Sequence, residues 1–325
     1  MKALVTGSTG FIGSHLVEAL IKKDYKVSCL VRKESDLKWI KDCKVELITG
    51  NYQDKNSLYN AVKGMDYVFH AGAALDAFDW ETYYKTNVKG TINLIEACVE
   101  VNAGLKKFVL VSSISAAGPA NDKKPLKESV PCNPFSLYGK SKYLAEEAAT
   151  RFFPLLPIVI IRPTNVFGIR QKDLHTTLKL AANRIIPLIG NGDKQTTICF
   201  VQDVVRALIL AAENETVRSK IFFVASPEIY SWREILEFIY RELGLSFVIK
   251  IPYPALLSIA LVSEVLAKLT RSRPLLTVKT IFSARKNYWL HDASLIREEL
   301  GFSPEISFEE GMRNIIHWYK DKGLI

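Results

Sequence analysis

The sequence predicts an α/β protein built on a doubly wound, mostly parallel sheet, with a smaller, mostly helical C-terminal part. Three observations carry that expectation. Apolar runs such as Phe108-Val109-Leu110-Val111 alternate with amphipathic stretches through the first half of the 325 residues, the pattern of repeated βαβ units. These runs are apolar on both faces, which suits strands covered by helices on each side. The first run ends in a glycine-rich turn that opens directly into an amphipathic stretch.

Taken in order, strands are expected at about 2–6, 26–32, 44–48, 67–70, 107–112 and 158–161. Helices are expected at about 11–23, 57–63, 80–101 and 138–153. After Arg162-Pro163 the pattern loosens into helices at about 172–184, 203–213, 231–243 and 254–270. Turn-rich pieces such as Gly190-Asn191-Gly192-Asp193 separate them. No internal repeat, low-complexity tract or long linker interrupts the chain. Residues 1–170 are therefore expected to bind a cofactor, and 171–325 mainly to bind substrate. A segment at about 196–224 is expected to return to the first part. A cleft between the two would hold the substrate.

Composition narrows the function classes. Hydrophobic residues make up 48% and charged residues 24%, the balance of a globular rather than a disordered chain. Met1 runs directly into Lys2-Ala3-Leu4-Val5, so no signal or transit peptide is expected. The longest apolar stretches, 155–161 and 255–262, are too short to span a bilayer. The second reads as a buried core helix rather than a membrane-surface anchor. Cys29, Cys43, Cys98, Cys132 and Cys199 lack metal-ligand or redox spacing, so no metal and a cytoplasmic location are expected. The net charge of +9 comes from dispersed lysines without interleaved aromatics. It fits attraction of an anionic cofactor better than nucleic-acid binding.

The first glycine cluster, Thr6-Gly7-Ser8-Thr9-Gly10-Phe11-Ile12-Gly13, has the spacing G-x-x-G-x-x-G. Gly7 permits the tight turn, Gly10 admits a pyrophosphate to the backbone, and Gly13 lets the helix pack on the sheet. Thr9, Phe11 and Ile12 complete the loop, and free amides at the helix start hold phosphates. The second strand ends at Arg32 where an acid would accept from the ribose of NAD, so NADP(H) is favoured and NAD(H) remains possible. Further on, Tyr138 and Lys142 stand four apart on an expected helix. They share a face, and a nearby cation lowers a phenol's pKa toward usefulness in acid–base chemistry.

Together these motifs resemble the extended short-chain dehydrogenase/reductase superfamily, the NAD-dependent epimerase/dehydratase group, nearly end to end. Gly7, Gly10 and Gly13 match its cofactor loop, and Asn51-Tyr52 stands at its adenine-side segment. His70-Ala71-Gly72-Ala73 matches its fourth-strand end, and Thr86-Asn87-Val88-Lys89-Gly90-Thr91 its Asn-Val-x-Gly-Thr motif. Ser112-Ser113 and Tyr138-x-x-x-Lys142 match the segments around its catalytic residues, and Arg162-Pro163 matches its Arg-Pro segment, with Pro163 expected beside the cofactor. Trp289, Asp292-Ala293-Ser294 and Leu300-Gly301-Phe302 resemble its C-terminal signature. The resemblance implies a Rossmann-type fold in which Tyr138 exchanges a proton with a substrate oxygen during hydride transfer. Lys142 would hold the nicotinamide ribose and lower the tyrosine pKa. Ser113 would hydrogen-bond the reacting oxygen, with Ser112 and Ser115 as rivals for that role. His70 reads as a wall residue, and Asn87 as one that fixes backbone or water near the site. The resemblance also implies a homodimer through the helices at about 80–101 and 138–153.

Substrate class divides the family between nucleotide-sugars and hydrophobic carbonyl compounds. Ser113-Ile114-Ser115-Ala116 lacks the acidic pair of the sugar dehydratases. Thr196 stands where many nucleotide-sugar enzymes carry a diphosphate-gripping arginine, and Ser115, Asn165 and Thr196 are the candidate substrate contacts. Arg170, Arg184, Arg273 and Arg285 are possible substitutes for that arginine. The segment 252–274 resembles hydroxysteroid-dehydrogenase-like and dihydroflavonol-reductase-like members. NADPH-dependent reduction of a hydrophobic ketone is therefore expected, with a nucleotide-sugar epimerase as the alternative. A third reading, a catalytically idle dinucleotide-binding protein, sits poorly with the retention of both Tyr138 and Lys142.

Overall fold

β1 (Lys2–Thr6) is the axis of the protein. It pairs in parallel with β2 (Lys26–Val31) on one side and β4 (Tyr67–His70) on the other. The computed structural model describes residues 1–183, 187–189, 192–245, 249–251, 253–270, 278 and 288–325. Outward from β2 lies β3 (Glu46–Thr49); outward from β4 lie β5 (Lys107–Val111), β6 (Ile158–Pro163) and β10 (Lys220–Val224). All seven strands are parallel, in the order β10-β6-β5-β4-β1-β2-β3. The order reverses between β1 and β4, and a crevice forms beyond the strand ends at such a switch point.

Alternation along β1 explains the two helical layers. Ala3 and Val5 join one apolar cluster with Leu16 and Leu20 of helix Phe11–Lys22 and Leu208 of helix Val201–Glu213. Leu4 points the other way, into a cluster with Leu58 of helix Lys55–Val62 and Leu94 of helix Gly90–Val101. Each fully buried aliphatic side chain contributes about 1.5–3 kcal/mol, so both faces of the sheet are closed by strong apolar layers.

A second, smaller sheet carries the C-terminal half of the cleft. β9 (Gln195–Phe200) pairs with β7 (Asn165–Phe167), β11 (Ile229–Ser231) and β13 (Tyr288–Trp289). Ile198 and Phe200 of β9 pack on helices Lys172–Ala182, Trp232–Glu242 and Phe308–Asp321 through Leu178, Ile235 and Met312. Ser231 and Glu234 form a reciprocal capping box at the start of the second of these helices. A two-stranded parallel pair, β8 (Pro187–Ile189) with β12 (Ile249–Ile251), completes the strands among the described residues.

Several elements differ from expectation. The apolar helix Tyr253–Thr270, expected to be buried in the core, instead exposes Ile259, Leu261, Val262, Val265, Leu266 and Leu269. The helix expected at 80–101 is interrupted by a π-helical turn at Tyr84–Lys89 that contains Asn87. The helix expected from 57 begins at Lys55, because the Asp54 carboxylate caps it by accepting from the amides of Asn56 and Ser57. Short strands β8, β9, β11, β12 and β13 lie within 171–325, the part read as mostly helical, and β10 joins the main sheet from the segment 196–224. No helix among the described residues is long and apolar enough to cross a membrane.

Candidate active site

The glycine loop after β1 is shaped by close approach rather than by turn preference alone. Gly7 sits at φ +69°, and a Cβ there would lie 2.5 Å from Gly72 Cα at the end of β4. A Cβ on Gly13 would lie 2.1 Å from the Gly7 carbonyl oxygen, so the helix start can rest on the loop only without a side chain. Gly10 heads that helix with no side-chain cap, and the first turn holds no acidic residue. Its outward side is open, because a Cβ there would meet only the Gly7 oxygen within 4 Å. An uncapped, unobstructed helix N-terminus fits the pyrophosphate of a dinucleotide. Thr9, Phe11 and Ile12 are half-buried around it.

Beside the loop, His70 is locked rather than reactive. Its Nδ1 meets Thr6 Oγ1 at 2.7 Å and its Nε2 meets Thr91 Oγ1 at 3.0 Å. Burial, and then the Lys142 ammonium, hold its pKa down at about 3, so the ring is neutral. Tyr52 packs edge-on against it at 5.2 Å and fills the space that glycine leaves at Gly72. Burial pushes the Tyr52 phenol up to about 12. Ala71 continues the strand end by donating its amide to the Thr6 oxygen at 3.2 Å, followed by half-buried Gly72 and Ala73. At the adenine end, Asn51 Oδ1 accepts from the amides of Gln53 and Asp54 at 2.8 and 3.1 Å, so it shapes the loop. Arg32 is exposed, and its guanidinium makes no ion pair among the described residues. Pro163 lies buried at the end of β6.

Ser113 and Tyr138 meet across the mouth of the same crevice. Ser113 caps the short helix Ile114–Ala117 by accepting from the Ser115 amide at 3.1 Å. Tyr138 lies in the first turn of helix Leu137–Thr150, which Ser136 caps by accepting from the Gly139 amide at 2.9 Å. Burial pushes the Tyr138 phenol up to about 12, while its hydrogen bond with the Ser113 side chain pulls the other way. The Ser112 hydroxyl instead donates to Glu146. Lys142 does not act as expected from spacing. Its Nζ donates to the Val111 carbonyl at 2.6 Å, and the cation is not among the groups that shift Tyr138. Burial lowers the Lys142 ammonium to about 8, against an opposing pull from the Glu146 charge.

The sequence matches the NAD dependent epimerase/dehydratase family over residues 3–225. The chain belongs to that family. The human sterol-4-alpha-carboxylate 3-dehydrogenase, decarboxylating, is 32% identical over 239 residues, covering 70% of this chain and 62% of the human protein. The 2-alkyl-3-oxoalkanoate reductase of Stenotrophomonas maltophilia is 27% identical over 97% of this chain and 98% of its own. Among solved structures, MoeE5 in complex with UDP-glucose and NAD superposes with a TM-score of 0.77 at 26% identity, covering 99% of each chain. The chain is thus an enzyme of the NAD-dependent epimerase/dehydratase family with a Rossmann fold.

Glu146 and Gly139, beside the family's Tyr-x-x-x-Lys pair, were not read as functional from the sequence, whereas Asn87 fixes backbone near the site as expected. Glu146 continues the face of Tyr138 and Lys142 by one more turn and pairs with Arg162 of β6. Arg162 Nε lies 3.0 and 3.2 Å from the two carboxylate oxygens, and Nη2 lies 2.6 Å from Oε2. A Cβ on Gly139 would lie 2.2 Å from the Ser115 carbonyl oxygen, so glycine lets the helix reach the serine loop. Asn87, in the π turn, donates to Ser141 Oγ at 2.8 Å and to the Ala74 carbonyl at 3.0 Å. Ser141 in turn donates to the Tyr138 carbonyl at 2.7 Å, which ties the π turn to the helix start. The only sequence signal for Glu146 was its four-residue step from Lys142.

On the substrate side, Asn165 Nδ2 donates to Thr196 Oγ1, bringing those two residues together. Arg170 is not free to stand in for the missing arginine, because it pairs with Glu18 at 2.5 Å and donates to Ser14. Arg184, Arg273 and Arg285, with most of the segment 271–287, lie outside the described residues.

Proposed function

We propose that this protein catalyses NADPH-dependent reduction of a ketone in a hydrophobic substrate, or the reverse oxidation. The observation that carries the reading is the Ser113–Tyr138 contact beside Lys142, all at the crevice that the glycine loop lines. Ser113, Tyr138 and Lys142 are the catalytic residues. Gly7, Gly10, Gly13, Arg32 and the β4 end hold the dinucleotide, whose nicotinamide supplies the hydride when bound. Tyr138 is protonated at neutral pH and gives its Oη proton to the carbonyl oxygen as that oxygen gains charge. Ser113 donates a hydrogen bond to the same oxygen and stabilises the charge in a water-poor site. Lys142 holds the nicotinamide ribose hydroxyls from its place beside the end of β5.

Arg32 supports NADPH, since an exposed guanidinium without an acidic partner suits a 2′-phosphate. The names of the human and Stenotrophomonas relatives describe a sterol-4-alpha-carboxylate dehydrogenase and a 2-alkyl-3-oxoalkanoate reductase. Residues 1–170 serve the cofactor and 171–325 mainly the substrate, in a cytoplasmic homodimer. A nucleotide-sugar epimerase is the second reading, favoured by the likeness to MoeE5 bound to UDP-glucose. Thr196 in place of arginine, and Arg170 tied to Glu18, speak against it. NADPH oxidation against a panel of steroid and alkyl ketones, beside calorimetry with UDP-glucose, separates the two. The ketone reading expects turnover and no sugar-nucleotide binding. Tight UDP-glucose binding without net NADPH loss would establish the epimerase.

A further inference from the structure

We propose that Lys194 is the receptor for a carboxylate carried by the substrate at the end remote from the reacting carbon. The inference rests on the ketone-reductase reading and adds a substrate class to it, an apolar keto or hydroxy acid.

Lys194 immediately precedes β9, and its carbonyl accepts from the Trp232 amide at 3.0 Å. Side chains two apart on a strand share a face, so Lys194 lies on the face of Thr196, whose hydroxyl meets Asn165. Trp289 is the cross-strand partner of Thr196 on that face. The ammonium lies 5.9 Å from the ring centroids of both Trp232 and Trp289. Trp289 packs against the apolar cluster of Ile114, Ala117 and Phe223, two of which belong to the helix capped by Ser113. One indole ring and one helical turn therefore separate Lys194 from the Ser113 side of the crevice.

What this corner lacks is an acceptor. Lys194 forms no ion pair or hydrogen bond through its ammonium among the described residues, and the adjacent Asp193 pairs with Arg233 at 3.5 Å. Burial alone pulls its pKa down, with no charged group contributing in either direction. The indole N–H groups of Trp232 and Trp289 are also buried without partners. Lys194 is half-buried, and two ring faces at this distance offer its charge only a weak partner. An arriving anion completes the site. One uncompensated cation balances one carboxylate; a nucleotide diphosphate brings at least two negative charges and is held by arginine forks, which Thr196 does not supply.

Calorimetry on the NADPH-saturated full chain tests this with decanoate, decan-1-ol and UDP as probes. Decanoate is expected to bind more tightly than decan-1-ol. Lys194→Met should weaken decanoate about 30-fold and leave decan-1-ol unchanged, whereas Lys194→Arg retains decanoate binding and shows that the fold tolerates substitution. Tyr138→Phe should bind decanoate normally. Equal decanoate binding by wild type and Lys194→Met, or no decanoate binding at all, would overturn the proposal. So would Lys194-dependent binding of UDP in preference to decanoate. Because binding is read without turnover, failure of ketone reduction and failure of this site are separate results.

Discussion

Lys142 Nζ donates to the Val111 carbonyl at 2.6 Å, on the last residue of β5 and just before the Ser112-Ser113 pair. The ammonium is thus fastened to the strand whose end carries the serine loop, one helical turn from Tyr138. That bond fixes where the cation stands, and burial lowers its pKa to about 8. A cation so close to deprotonation is sensitive to the next charge along the helix.

That charge is Glu146. Glu146→Gln keeps the side-chain shape and removes the negative charge that favours protonated Lys142. The alkaline limb of the rate profile, set by loss of the Lys142 proton, should then move to lower pH than in wild type. Glu146→Ala should also strip Arg162 of its buried partner and destabilise the fold by about 3–5 kcal/mol. Denaturant melts of both variants, with pH–rate profiles of Glu146→Gln, check the two effects separately.

The proposed NADPH preference rests on Arg32. Arg32→Ala should lower NADPH affinity by about tenfold or more, the loss of a charge-assisted phosphate contact, and leave NADH affinity nearly unchanged. Fluorescence titration of both cofactors reads this directly, and tighter NADH binding by wild type would contradict the NADPH assignment.

His70 sets part of the acid stability. Its folded pKa is about 3 and its ordinary value is 6.5, so the unfolded chain binds the extra proton between those limits. Its stabilising contribution is complete above pH 6.5 and is lost as pH falls toward 3, by about 1.4 kcal/mol per pH unit. His291, held at about 4 by burial, adds to the slope over the upper part of that window. His70→Gln should reduce the slope of unfolding free energy by about one proton between pH 4 and 6.5. An unchanged slope would mean that the ring already titrates in the folded state.

Much of this architecture is legible in the sequence because β1, β4, β5 and β6 are largely apolar runs that local pattern alone identifies. Gly7 and Gly13 are equally legible, since the close approaches that they make demand glycine. The small sheet was harder: β7, β11 and β13 are only two or three residues long, and pairing to β9 rather than propensity makes them strands. The π turn at Asn87 leaves no periodic trace, because it depends on bonds to Ala74 and Ser141 from other elements. The partner of Lys142 was also hidden. Helix spacing places the ammonium on the face of Tyr138, but only the sheet reveals the Val111 carbonyl that claims it. Lys194 carried no sequence signal, since its isolation depends on two tryptophans 38 and 95 residues away.

The proton at Tyr138 is the centre of the account, and single-turnover NADPH oxidation by Tyr138→Phe with the best ketone of the panel tests it most directly. The variant should bind NADPH as wild type does and lose turnover by about 10²–10⁴-fold, the usual worth of a positioned general acid. Turnover by Tyr138→Phe at the wild-type rate would contradict the assignment.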